Sequence, residues 1–215
     1  MTDGSGPRDW IEWHTAYGDP DSQLARRLAI VQAQVARLLQ EHAAPLRLLS
    51  LCAGEGRDVI EPVARLGAGD RVTGRLVELD PTLAARARAA TADAGLSGLD
   101  VREGDAGITS AYVGAAPADL VLVCGVFGNI TDEDIRRTVR ALPSLCAEGA
   151  TVVWTRHRRS PDLTPAIRRW FVSAGFRHAG FFRVADSLSS VGVERFVGTP
   201  APLVAGERLF AFVAP

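Results

Sequence analysis

From Leu46 onward the chain alternates short apolar runs with stretches whose apolar residues recur at helical spacing. Period-2 or continuous apolar runs predict strands, and the 3.6-residue pattern predicts helices. The expected order is strand 46–51, helix 57–66, strand 71–79, helix 81–94, strand 99–103, strand 119–124, helix 132–142, strand 150–156 and helix 164–174. Such alternation predicts an α/β fold with a mostly parallel sheet and helices on both faces. The ending departs from it. Phe176 to Val184 and Arg208 to Val213 read as strands joined without a helix, hence antiparallel, and Val191 to Val197 between them reads as an extra strand or as a loop over the site.

Two helices precede the first strand. Trp10, Trp13, His14 and Tyr17 fall at i, i+3, i+4 and i+7, one face of a helix that Gly18-Asp19-Pro20 ends. Asp21 or Ser22 can cap the second, whose Leu24, Leu28, Val31, Val35, Leu38 and Leu39 form an apolar stripe up to Pro45. With 215 residues, 47% of them hydrophobic and 23% charged, the expectation is one domain over 1–215, a helical lid at 1–44 on a core at 45–215. A net charge of −1 argues against a nucleic-acid partner. The N-terminus lacks a signal-peptide pattern and no run reaches membrane-spanning length, so a cytoplasmic protein with no membrane partner is expected. Cys52, Cys124 and Cys146 have no metal-site spacing, and no metal is expected. The sequence contains no lysine, which excludes Schiff-base chemistry.

The chemistry gathers just after the strands, where an open α/β sheet holds its ligand. In LSLCAGEGRDV, Gly54 and Gly56 allow a tight turn and a close approach of backbone to ligand, and the helix that follows points its first N–H groups at the same space. Glu78 ends the second strand, about 20 residues beyond the turn, where a carboxylate can accept both hydroxyls of a ribose. Asp80 shares its neighbourhood but precedes Pro81 and is expected to begin the next helix. Gly104-Asp105-Ala106 can read an adenine edge, although such a pair also occurs in ordinary turns. CGVFGNI follows the fourth strand, and Cys124, Gly125 and Gly128 keep its backbone accessible.

In this order LSLCAGEGRDV, VTGRLVELDP, REGDA and DLVLVCGVFGNI resemble the motifs of class I S-adenosylmethionine-dependent methyltransferases, over the chain from about Leu46 to the C-terminus. SLCAGEGRDV with CGVFGNITDEDI looks like a group of bacterial, especially actinobacterial, small-molecule methyltransferases. The resemblance implies a Rossmann-like seven-stranded sheet of order 3-2-1-4-5-7-6 with an antiparallel last strand and an N-terminal helical extension. It implies the methionine part of the cofactor at Ala53, Gly54, Glu55 and Gly56, ribose on Glu78 beside Leu79, adenine near Asp105 and Ala106, and Cys124 or its neighbour as a backbone contact beside the sulfonium. Ala53 is read as standing where many members have a further glycine.

The implied reaction moves a methyl group from S-adenosylmethionine to a small-molecule acceptor and releases S-adenosylhomocysteine. Alignment alone can supply about 7–11 kcal/mol of such a displacement. If a base is needed, the candidates are His157, in the run Arg156 to Arg159, and His14, in the aromatic stripe. The alternatives are a solvated basic loop for the first and a docked amphipathic helix for the second. Trp13, Tyr17, Phe127, Asn129 and Arg158 complete an expected acceptor pocket, with Asn129 equally able to cap the helix near Asp132. A homodimer is compatible with the sequence and not required by it. Two rival readings stay open: a nicotinamide dehydrogenase, disfavoured by Val59 at the third glycine position of GxGxxG, and a non-catalytic cofactor-binding regulator or scaffold.

Overall fold

The computed structural model describes residues 16–213. After a 3-10 turn at Ala16–Gly18 come α1 (Gln23–Glu41), β1 (Leu46–Leu51), α2 (Arg57–Arg65), β2 (Val72–Glu78), α3 (Pro81–Asp93), β3 (Leu99–Glu103), β4 (Ala118–Val123), α4 (Asp132–Ala141), β5 (Cys146–His157), α5 (Thr164–Ser173), β6 (Phe176–Arg183) and β7 (Ser189–Phe196). The sheet order is β3-β2-β1-β4-β5-β7-β6. β7 runs antiparallel to both its neighbours, β5 and β6, and the other pairings are parallel. Trp10, Trp13 and His14 lie outside the described residues.

Each central strand is apolar on both faces because each face is covered. Leu46 and Leu48 of β1 join Val31, Val35 and Leu39 of α1 and Val59 and Val63 of α2 in one core layer. Leu49 and Leu51 face the other way, into a layer with Ile135 and Val139 of α4 and Ile167 and Phe171 of α5. The period-2 geometry of a strand sends neighbouring residues to opposite layers, so a continuous apolar run signals cover on both sides. The helix starts follow local chemistry. The Ser22 side chain accepts from the Ala25 N–H (3.0 Å) at α1, and Asp80 Oδ1 accepts from Thr82 and Leu83 at α3.

The seventh strand corrects the expected ending: it is Ser189–Phe196 and not 208–213. Of the two readings of Val191 to Val197 the strand is the one observed, although Gly192 and Glu194 are poor strand signals. Both have a packing reason. A Cβ at Gly192 would lie 2.1 Å from the buried Trp154 ring. The Glu194 carboxylate accepts from Trp154 Nε1 (3.2 Å) and meets His178 Nδ1 at 2.6 Å. Residues 207–213 instead form a strap across the ends of the strands. It makes single bridges from Arg208 to Ile108 and from Phe212 to Ile130, and Leu209 N–H donates to Gly107 O at 2.8 Å.

Candidate functional site

A cavity of about 650 Å³ opens beyond the carboxyl ends of β1, β2, β3 and β4, within the size range of small-molecule sites. Its floor is the turn after β1. There the non-glycine residue held at positive φ is Cys52 (55°), so Cys52 and not Ala53 occupies the place where a further glycine would be at ease. Ala53 N–H donates to Val77 O (2.9 Å) and Gly56 N–H to Ala53 O (2.9 Å), which ties the turn to β2. Gly56, at φ 72°, does not line the cavity. It shapes the entry to α2, where a Cβ would meet Ile60 and Leu76.

Glu78, buried at the end of β2, accepts from Gly54 N–H through Oε2 (2.7 Å) and from Asp80 N–H through Oε1 (2.9 Å). The two bonds fix the carboxylate on the cavity wall and leave lone pairs for a ligand's hydroxyls. Glu55 lies between Arg57 (2.6 Å) and Arg86 (2.9 Å). Asp105 accepts from Gly107 N–H through Oδ1 (2.7 Å), and its Oδ2 pairs with Arg208 of the strap (2.6 Å). The main chain at Ala106 is pinned by the Tyr112 hydroxyl (2.6 Å). Ala53, Gly54, Glu55, Glu78, Leu79, Asp105, Ala106, Cys124 and Tyr17 all line this space.

Besides Gly56, four expected residues do not line it. Phe127 is fully buried against Trp154 and Phe171 in the aromatic core, out of reach of an acceptor. Asn129 donates to Gly125 O (2.6 Å) and does not cap α4, whose cap is Thr131. Arg158 is pinned to the loop before β7, through Ser187 O (2.9 Å) and Leu188 O. His157 packs toward Gly128 and accepts from Arg159 N–H through Nδ1 at 3.3 Å. Burial, and then Arg156 and Arg159, hold its pKa below the usual histidine value, but the ring lies off the cavity wall.

Sequence reasoning missed Arg27, Leu28 and Val31 of α1, Asp58 of α2, and Arg208, Phe210 and Phe212 of the strap, all of which line the cavity. Leu28 and Val31 were legible as part of an apolar stripe. What it could not reveal is that the stripe is wide enough to serve both core and cavity. Burial raises the thiols of Cys52 and Cys124 far above their usual range and keeps them neutral. Burial also raises Tyr17. Among the described residues no group of three or more His, Cys, Asp or Glu side chains could hold a metal ion, and no helix is long and apolar enough to cross a membrane.

Burial pushes the Asp58 carboxyl up to about 6 from 3.8, opposed by its own and Val59's backbone N–H groups and by Arg27. A carboxyl whose folded pKa is raised favours the fold only while it is protonated. Stability therefore falls as pH rises from about 4 to about 6, and above that window the ionised group costs about 3 kcal/mol at 1.36 kcal/mol per pKa unit. Asp58→Asn is expected to raise the melting temperature of the ligand-free protein at pH 7–8 and to leave it unchanged near pH 3.5. Thermal melts at the two pH values check this, and equal shifts at both would exclude the ionisation.

The model of a family described as "Putative methyltransferase" matches residues 24–178. No curated protein matches the sequence. Among solved structures, the magnesium protoporphyrin IX methyltransferase of Synechocystis PCC 6803 with bound SAH superposes with a TM-score of 0.67 at 14% identity, covering 87% of this chain and 93% of that one. An O-methyltransferase family protein from Burkholderia thailandensis gives 0.61 at 16% identity, covering 91% and 65%. The [4+2]-cyclase SpnF gives 0.55 at 14% identity, covering 77% and 82%. At these identities the likeness is one of fold.

Proposed function

Because the chain belongs to the family of methyltransferases whose model spans residues 24–178, we propose that it transfers the methyl group of S-adenosylmethionine to a small-molecule acceptor in the cytoplasm. The observation that carries this reading is Glu78, fixed by Gly54 and Asp80 at the edge of a cavity that also holds Asp105. These groups fit a nucleoside: Glu78 for ribose hydroxyls, and Asp105 with the backbone at Ala106 for the adenine edge. When bound, the cofactor supplies a methyl group already activated on a sulfonium.

The protein's own contribution is alignment and exclusion of water. Leu28 and Val31 of α1 and Phe210 and Phe212 of the strap give the cavity apolar walls. Cys124 and Gly125 present backbone there, with Gly125 N–H anchored on the Thr155 hydroxyl (2.8 Å). Of the two imidazoles expected as a base, His157 lies off the cavity wall, and His14 lies outside the described residues. His157→Ala should therefore change S-adenosylhomocysteine affinity by no more than about twofold, as for a surface substitution. A larger loss in titration calorimetry would return His157 to the site.

Catalysis is tested by incubating the protein with methyl-labelled S-adenosylmethionine and a panel of small hydroxyl, amine and thiol compounds. The expected result is label in at least one class, with one S-adenosylhomocysteine released per methyl transferred. Binding without transfer anywhere in a broad panel would contradict the reading.

A further inference from the structure

Among the buried carboxylate oxygens of the described residues, Asp58 Oδ1 is the one without a hydrogen-bond partner there. Asp58 is 9% exposed, sits in the first turn of α2 and lines the cavity. A buried carboxylate left in that state is costly unless a ligand completes it. Arg27 of α1 lines the same end, with Nη2 at 3.4 Å from the Tyr17 hydroxyl. Arg27 acts on the Asp58 carboxyl through its charge, so an anion and a cation face each other after β1, while Glu78 and Asp105 line the cavity at the ends of β2 and β3, the strands that succeed β1 toward the sheet edge.

Opposite charges side by side suit a zwitterion. The ligand proposed above carries one, an α-amino acid, at the end remote from its nucleoside. We infer that Asp58 receives the α-ammonium of the cofactor and Arg27 its α-carboxylate. The inference rests on the S-adenosylmethionine reading and assigns its amino-acid end to two side chains from different helices.

The arrangement makes binding depend on pH. The groups facing Asp58 are Arg27 and Tyr17 from the N-terminal side and Cys124 from the loop after β4. Burial keeps Tyr17 and Cys124 neutral, so Asp58, with its carboxyl near 6, is the group that ionises between pH 5 and 7. Affinity for an ammonium should rise with pH through about 6 and level off above it.

The test is calorimetry on the full chain, wild type, Asp58→Asn and Arg27→Gln, with circular dichroism as the check on folding. The probes are S-adenosylhomocysteine, S-adenosylmethionine and 5′-methylthioadenosine, which has the nucleoside but no amino acid. Each variant is expected to weaken the first two alike by roughly 10- to 100-fold, the range for one hydrogen bond to a charged group. Binding of 5′-methylthioadenosine should hold within about twofold, and Asp58→Asn should abolish the rise through pH 6. Unchanged S-adenosylhomocysteine binding in Asp58→Asn would overturn the inference, as would equal losses for all three probes. A loss confined to S-adenosylmethionine would move Asp58 to the sulfonium. If the wild type bound none of the three, the cofactor reading itself would fall.

Discussion

Glu78→Ala is expected to weaken S-adenosylhomocysteine binding by at least about a hundredfold while the protein stays folded. The side chain has two tasks. It holds Gly54 N–H at 2.7 Å and Asp80 N–H at 2.9 Å, and it presents its remaining lone pairs to the proposed ribose. Hydrogen bonds to a charged group contribute about 1.5–3 kcal/mol each, so loss of two to the ligand already accounts for the effect. The freed N–H groups can turn to water in the opened cavity, which limits the cost to the fold. Glu78→Gln separates the tasks, since the amide oxygen can still accept one backbone N–H but the charge is gone. Calorimetry should order the affinities as wild type, Gln, Ala. Wild-type affinity in Glu78→Ala would remove the residue from the site.

The second large effect lies in the sheet. Gly74 pairs with Leu48 in the β1–β2 register, and a Cβ there would fall 2.1 Å from Leu48 O and 2.9 Å from two more of its backbone atoms. The obstacle is main chain in the centre of the sheet and cannot rotate away. Gly74→Ala must push β1 and β2 apart, and is expected to destabilise the protein by about 3 kcal/mol or more, at or above the usual range for overpacking. The same two strands carry the Cys52 turn and Glu78, so affinity should fall together with stability. Urea unfolding checks the first part as a lower midpoint at unchanged slope. A loss below about 1 kcal/mol would mean that the strands are not paired in this register.

What could be read from the chain and what could not divide along physical lines. The central strands are apolar because both faces are covered, and that cover is visible as continuous runs such as Leu120 to Val123 of β4. The Cys52–Gly56 turn and Glu78 were legible because they lie where a strand ends and a helix begins. β7 was legible only as one of two alternatives, a strand or a loop at Val191 to Val197, since Gly192 and Glu194 are explained only by Trp154 and His178, 38 and 16 residues away in sequence. Phe127 was misplaced because an aromatic beside a ligand turn can equally face the core. The ring chose Trp154 and Phe171. Arg158 followed the same rule, captured by the backbone at Ser187. Asp58 stood in plain view in the first motif, yet its significance depends on the burial that α1 imposes and on Arg27 facing the same space.

The most direct test of the account is a calorimetric titration of the wild-type protein with S-adenosylhomocysteine at pH 7.5. The prediction is saturable binding of one ligand per chain, with a rise in melting temperature that grows with ligand concentration. A folded protein that gave no binding heat and no thermal shift would contradict the assignment of this cavity to S-adenosylmethionine.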